Sequence, residues 1–373
     1  MKVAFFIPYF GDGGVERTTL ILSQMFIKDG HSVDIITLKP WGPFLKQMPS
    51  EIRVVNLHTR RTLTAIPKLI TYLRKEQPTA LISAQHYANI VSIWACMLSR
   101  AKTKLIITER LALSEAFANK RNFREYVLPL LIRWFYQKAE AVVANSEGGA
   151  EDLACILGWM RQRIHVIYNP TYDDSILEKS QEPLNHPWFQ PGEPPVILGV
   201  GRLTHQKDFA TLIRAFAIVR KELECRLVIL GEGEERPKLE ALAKELGIGE
   251  DVDLPGFVDN PYKYMARASL FVLSSRYEGL PNVLIEALAC GTPVVSTDCP
   301  SGPREILMNG KGGLLVPVGN AEKMATAILK LLRDKSFAQS LLQFAREHLD
   351  RFKPETCYKA YLRLIEDEQN KKP

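Results

Sequence analysis

Short apolar runs of strand length alternate with helix-patterned segments along almost the whole chain, and this alternation restricts the fold more than any other feature. The first half offers Val3–Ile7, Val33–Leu38, Ile52–Leu57, Ala80–Ala84, Lys104–Thr108, Ala141–Ala144 and Ile164–Ile167. A second series runs through Val196–Val200, Arg226–Leu230, Val252–Leu254, Leu270–Ser274, Pro293–Thr297 and Gly313–Val316. Several are apolar at consecutive positions, as parallel strands covered on both faces are. Two successive series of this kind predict an α/β chain of two doubly wound, Rossmann-like domains, and 373 residues exceed what one core usually holds. The stretch 173–195, rich in Pro, Asp, Glu and Gln, reads as a linker between a first domain, 1–172, and a second, 196–354. After Pro354 a helical pattern carries Tyr358, Tyr361, Leu362, Leu364 and Ile365 before the chain turns polar.

Composition narrows the functional classes. Six cysteines are scattered without paired spacing, which favours free thiols in a reducing, cytoplasmic setting over a disulfide framework or a zinc site. The apolar start Val3–Ile7 is too short for a signal peptide, and the longest apolar run, 88–98, is broken by Asn89 and Ser92. An integral membrane protein is therefore not expected. The net charge of +6 lies in the first half: residues 1–190 hold 23 Lys/Arg against 17 Asp/Glu, and 191–373 hold 25 of each. That asymmetry suits an anionic membrane face, a phosphate-bearing acceptor or an ordinary solvated surface. No nucleic-acid motif accompanies it. The stretch 123–137, with Leu130, Trp134 and Phe135 near Arg124 and Arg133, reads either as a membrane-facing helix or as a core helix.

Chemistry concentrates in the second half. Pro281 is a good first helical residue and Gly291 a good stop, so Pro281–Cys290 reads as one short helix. From Val283 onward Glu286 is its one polar side chain, with Asn282 a turn earlier on the same face. A carboxylate among apolar neighbours must be paired or hydrogen-bonded. It therefore either meets a core arginine or holds ligand hydroxyls, with Glu278 offered from the preceding loop. Gly201, Arg202 and Lys207 follow the strand Val196–Val200, where ligands bind in doubly wound sheets. Two cations there could neutralise a leaving diphosphate, or could be surface cations in a loop. Gly231 and Gly233 after the next strand, and Ser301–Pro303 after a later one, read equally as plain turns or as backbone near a ligand. The amides opening the Pro281 helix would favour phosphate.

In the first half, Gly11, Gly13 and Gly14 follow the opening strand but do not fit a dinucleotide fingerprint, because position 16 is the bulky Glu16. The loop reads as a backbone clamp. His86 and the pair Glu109–Arg110 follow two further strands and should face the cleft between the domains. Asp251 and Asp253 have a metal-site spacing but stand at the start of a strand, the wrong end for a ligand site.

Together these residues closely resemble the retaining glycosyltransferases of family four, which have the GT-B architecture. The resemblance covers nearly the whole chain and is densest over 196–318, through Gly201–Lys207, Gly231 and Gly233, Gly256–Val258, Glu278 with Glu286, and Gly313–Pro317. It implies a nucleotide sugar, UDP-linked, bound by the second domain. Arg202 and Lys207 would hold the diphosphate, Glu286 the ribose hydroxyls and Glu278 the donor sugar. Backbone near Val258 would meet the base, and Gly14 would close on the phosphates. Gly201, Gly231, Gly279, Leu280, Asn282 and Val283 complete the implied donor side. His86 matches a histidine placed near the donor sugar, and Glu16, Glu109 and Arg110 fall on the acceptor side. A last helix, about 355–369, is expected to return to the first domain.

The resemblance further implies front-face displacement onto a lipid-linked or cell-surface glycan. With two cations at the diphosphate no metal or cofactor is expected. The cysteine pattern suits a cytoplasmic protein, and the charge asymmetry with the stretch 123–137 suits one peripheral to the membrane. A nucleotide-sugar 2-epimerase and a non-catalytic nucleotide-sugar-binding protein are the alternatives. A nicotinamide dehydrogenase ranks last because the fingerprint fails.

Overall fold

The computed structural model describes residues 1–11, 13–40, 42, 48–114 and 123–367, the side chains of 123–126 excepted. It divides into one unit of Met1–Pro170 with Phe352–Pro373, and another of Thr171–Arg351.

The first unit runs β1 (Lys2–Phe6), α1 (Gly14–Lys28), β2 (Ser32–Thr37), β3 (Arg53–Asn56), α2 (Ile66–Glu76), β4 (Ala80–Ala84), α3 (His86–Ser99), β5 (Lys104–Glu109), α4 (Phe123–Phe135), β6 (Ala141–Ala144), α5 (Glu147–Leu157) and β7 (His165–Val166). Its strands form one parallel sheet in the order β3-β2-β1-β4-β5-β6-β7. Side chains alternate across the sheet. Ala4, Phe6, Leu81, Leu105 and Ile107 pack beneath α2, α3, α4 and α5, while Val3, Phe5, Ile82 and Ile106 pack against α1 and the carboxyl-terminal helix. Both faces are covered, which is why the strands read as unbroken apolar runs.

The second unit holds α6 (Asp174–Ser180), β8 (Val196–Val200), α7 (Phe209–Glu222), β9 (Arg226–Leu230), α8 (Arg236–Glu245), β10 (Val252–Gly256), α9 (Tyr262–Met265), β11 (Leu270–Leu273), α10 (Asn282–Ala289), β12 (Val294–Thr297), α11 (Pro303–Ile306), β13 (Leu314–Val316), α12 (Ala321–Arg333) and α13 (Lys335–Arg346). Its parallel sheet has the order β10-β9-β8-β11-β12-β13. The chain is thus α/β, with two doubly wound Rossmann-like domains. The thirteen expected strands all form, with ends shifted by at most two residues.

The stretch expected as a linker, 173–195, contains α6 and belongs to the second unit. Its polar composition hides specific docking: Lys179 O accepts from Asn260 Nδ2 at 2.8 Å and Ser180 O from Arg267 Nη1 at 3.0 Å. His186 stacks edge-on against Phe189 at 5.2 Å and lies 3.0 Å from Asp253. The last helix, α14 (Pro354–Glu366), lies in the first unit. Tyr358 packs edge-on against Phe26 at 4.9 Å and donates to Asp29, and Lys104 Nζ donates to Ile365 O at 2.7 Å.

Candidate active site

In the second unit β9 lies on one side of β8 and β11 on the other. The loops leaving β8 and β11 therefore diverge, and the crevice at their carboxyl ends is where doubly wound sheets take ligands. Four bonds stitch the two loops together. Gln206 O accepts from Arg276 N at 2.8 Å, Gln206 Nε2 donates to Tyr277 O at 3.0 Å, and Ser274 Oγ donates to Lys207 O at 2.7 Å. The fourth joins charges: Lys207 Nζ is 2.6 Å from Glu278 Oε1, with side-chain exposures of 16% and 8%. Ser275 Oγ donates to the same oxygen at 2.6 Å. Arg276 also pairs with the buried Asp208 at 3.1 Å, fixing the start of α7.

Arg202 is exposed on the same loop and makes no ion pair among the described residues. The glycines hold these loops against one another. A Cβ on Gly231 would fall 1.9 Å from Gly201 O, and one on Gly233 would fall 2.3 Å from Leu203 O. For this pair the backbone approached most closely is the protein's own. Gly201 in turn leaves room for the Lys207 stem, which a Cβ would meet at 3.3 Å.

Helix α10 starts one residue later and ends one earlier than expected, with Pro281 and Cys290 as its caps and Gly291 at φ +86° as its stop. Glu286 is 3% exposed, and Tyr262 OH donates to its Oε1 at 3.4 Å. Asn282 and Val283 are half-buried in the first turn, and Gly279 and Leu280 are buried in the turn before it. The Ser301–Pro303 loop buttresses that turn, since a Cβ on Gly302 would meet Pro281 Cδ at 2.5 Å and Gly279 O at 2.8 Å. Burial and the nearby carboxylates push the thiols of Cys299, beside Glu278, and Cys290, beside Glu286, up to about 12. Both stay protonated. Val258 is half-buried beyond β10, next to an exposed Phe257.

Asp251 and Asp253 are occupied structurally. Asp251 pairs with Arg220 at 2.7 Å and with Arg226, and Asp253 faces His186.

The first unit has its own reversal between β1 and β4. Gly14 opens α1 beyond β1, and the Glu16 carboxylate folds back over Gly13, where a Cβ would meet its Oε2 at 2.6 Å. Asp12 lies outside the described residues. His86 opens α3 beyond β4, half-buried, with its ring 4.5 Å from that of Tyr87. Burial drives its pKa down to about 4, so the imidazole is neutral near pH 7. Arg110 Nη1 donates to Asn169 Oδ1 at 2.6 Å.

Glu109 departs from expectation. Its side chain is 4% exposed and points into the first unit, where Asn89 Nδ2 at 2.8 Å and the Tyr136 hydroxyl donate to it. Glu109 shares a sheet face with Leu105 and Ile107, so the two-residue period along β5 carries it inward. Residues not anticipated for the site are Gln206, Tyr262 and Ser275. Ser275, three positions before Glu278 at a strand end, was the one with a readable signal.

The arrangement in the second unit brings cations, a helix amino terminus and two buried carboxylates to one sheet edge. It can hold an anion beside a polyhydroxyl group. Residues 12–174 match the family model described as Glycosyltransferase Family 4, and residues 180–348 match Glycosyl transferases group 1. The chain is 38% identical, over 71% of its length and 70% of the relative's, to an N-acetylgalactosamine-N,N'-diacetylbacillosaminyl-diphospho-undecaprenol 4-alpha-N-acetylgalactosaminyltransferase of Campylobacter jejuni. A second Campylobacter jejuni enzyme, an alpha-1,4-N-acetyl-D-galactosaminyltransferase acting on GalNAc-alpha-(1->4)-GalNAc-alpha-(1->3)-diNAcBac-PP-undecaprenol, is 28% identical over 99% of both chains. Among solved structures, Anabaena HepE in complex with UDP superposes with a TM-score of 0.80 at 19% identity, covering 98% of this chain and 99% of that one.

Proposed function

This chain belongs to glycosyltransferase family 4, and on that premise we propose that it moves a hexose or N-acetylhexosamine from a UDP-sugar to a lipid-linked or cell-surface glycan, with retention of configuration and without a metal. The observation that carries this reading is the joining of the β8 and β11 loops through Lys207 and Glu278, beside the buried Glu286 of α10. Arg202, Lys207 and the first amides of α10 would neutralise the diphosphate. Glu286 would accept from the ribose hydroxyls and Glu278 from hydroxyls of the sugar.

In the step proposed, the bond from the anomeric carbon to the diphosphate oxygen breaks and a bond to the acceptor oxygen forms on the same face. The acceptor proton passes to the departing diphosphate oxygen. The protein's contribution is a fixed field that stabilises the leaving charge and the cationic sugar. His86, neutral near pH 7, can accept a hydrogen bond from the sugar without adding charge.

The relatives named for undecaprenyl diphosphate substrates support a lipid-linked acceptor. No helix among the described residues is long and apolar enough to cross a membrane. Contact with an anionic membrane would then use a surface such as the outer side of α4, where Leu130 is 58% and Trp134 71% exposed around an exposed Arg133.

The test is incubation of the purified protein with UDP-N-acetylgalactosamine, UDP-N-acetylglucosamine, UDP-galactose and UDP-glucose, each with a polyprenyl-diphosphate-linked saccharide and EDTA. An α-linked product from one donor is expected. A β-linked product, or an isomerised UDP-sugar formed without acceptor, contradicts the proposal.

A further inference from the structure

Helix α3 opens on His86, and the backbone just before it is strained: Gln85 has φ +79° and ψ 137°. Such a conformation persists only where its surroundings fix it. The end of β5 fixes it twice. Thr108 O accepts from Gln85 N at 3.3 Å and from Asn89 Nδ2 at 3.0 Å, while Asn89 N donates to Gln85 O at 2.9 Å. Glu109 supplies the side-chain half of the clamp, because its Oε1 accepts from Asn89 Nδ2 at 2.8 Å and from the Tyr136 hydroxyl.

We propose that Glu109 is a positioning residue for sugar transfer: its ionised carboxylate holds Asn89 and, through the strained first turn of α3, sets the place of the His86 imidazole. The proposal rests on the assignment of His86 to the donor-sugar side made above. Ionised, Glu109 only accepts, which suits the two donors aimed at it. Protonated, one oxygen becomes a donor, the pull on Asn89 weakens and the turn loses a restraint.

The surroundings make Glu109 the group that changes state near neutral pH. Burial drives its carboxyl up to about 7, against the opposing effects of Tyr136, Asn89 and Arg110. Burial first and Glu109 second hold the Tyr136 phenol well above its ordinary value. His86 is already neutral. The other polar neighbours, Asn89 on α3 and Asn145 after β6, whose N–H donates to Glu109 O at 3.3 Å, carry no titratable group.

The test follows the His86 ring-carbon NMR signal from pH 5 to 9 in the full chain, in Glu109→Gln and in Tyr136→Phe, alongside UDP release from UDP-N-acetylgalactosamine. In the wild type the His86 signal should step with a midpoint near 7 although its own ring does not titrate there, and UDP release should rise through the same midpoint. Glu109→Gln should abolish both steps. Tyr136→Phe, which removes a donor to the carboxylate, should raise the midpoint by about one pH unit, and it carries the test if Glu109→Gln does not fold. A His86 signal flat through pH 7, or a step that survives Glu109→Gln, overturns the proposal. Full UDP release by His86→Ala would instead contradict the assignment of His86 while leaving the NMR coupling intact.

Discussion

The ammonium of Lys207 lies 2.6 Å from Oε1 of Glu278, so a cation from the loop after β8 and a carboxylate from the loop after β11 neutralise one another inside the second unit. A diphosphate arriving at Lys207 must share or displace that contact. On the proposed function, Glu278 would then be left more negative beside the sugar, and the pair would link donor binding to stabilisation of the transition state.

Lys207→Met should leave the Glu278 carboxylate buried without its cation. Breaking such a pair from one side costs about 3–5 kcal/mol. Adding Glu278→Gln should recover most of that stability in denaturant unfolding, while UDP binding stays at least tenfold weaker than wild type in both variants.

Glu286→Gln keeps the size of the side chain but removes its charge. Hydrogen bonds to a charged group contribute about 1.5–3 kcal/mol each, so UDP affinity should fall roughly ten- to hundredfold. Isothermal titration checks this, with an unchanged unfolding midpoint as the control.

Gly231→Ala places a methyl against the Gly201 carbonyl at a position with φ +141°. Overpacking of this kind costs about 1–3 kcal/mol, and UDP affinity should fall with it because the Gly201–Lys207 loop is pushed aside. Gly247→Ala, at φ +70° with open space around the new methyl, should cost only about 1 kcal/mol and leave UDP affinity unchanged.

The buried carboxyl of Glu109 titrates near 7 when folded and near its ordinary 4.5 when unfolded. Between those values the folded chain binds the extra proton, so stability falls as pH rises through that window. The contribution is fully present below about pH 4.5 and lost above about pH 7. The full loss is about 3 kcal/mol. Glu109→Gln should flatten this slope in unfolding curves taken at pH 5 and pH 8.

Much of this architecture could be read from the chain because strands buried on both faces leave continuous apolar runs, such as Val196–Val200 and Arg226–Leu230, whose bounds are those observed. Helix α10 was legible from Pro281 and Gly291 for a local reason, the chemistry of its ends. What stayed hidden depends on partners distant in sequence. Lys207 and Glu278 are 71 positions apart, and Glu109 finds Asn89 and Tyr136 at separations of 20 and 27. Helix α6 escaped because seven mostly polar residues carry little periodic signal and are held by Asn260 and Arg267, which lie far along the chain.

Calorimetric titration with UDP, GDP and ADP in EDTA asks whether the second unit binds a nucleoside diphosphate through Arg202, Lys207 and Glu286 without metal. UDP should bind the wild-type chain, and Arg202→Ala, Lys207→Met and Glu286→Gln should each weaken binding at least tenfold. Silence from all three nucleotides until magnesium or manganese is restored, or UDP binding untouched by those substitutions, would contradict that reading.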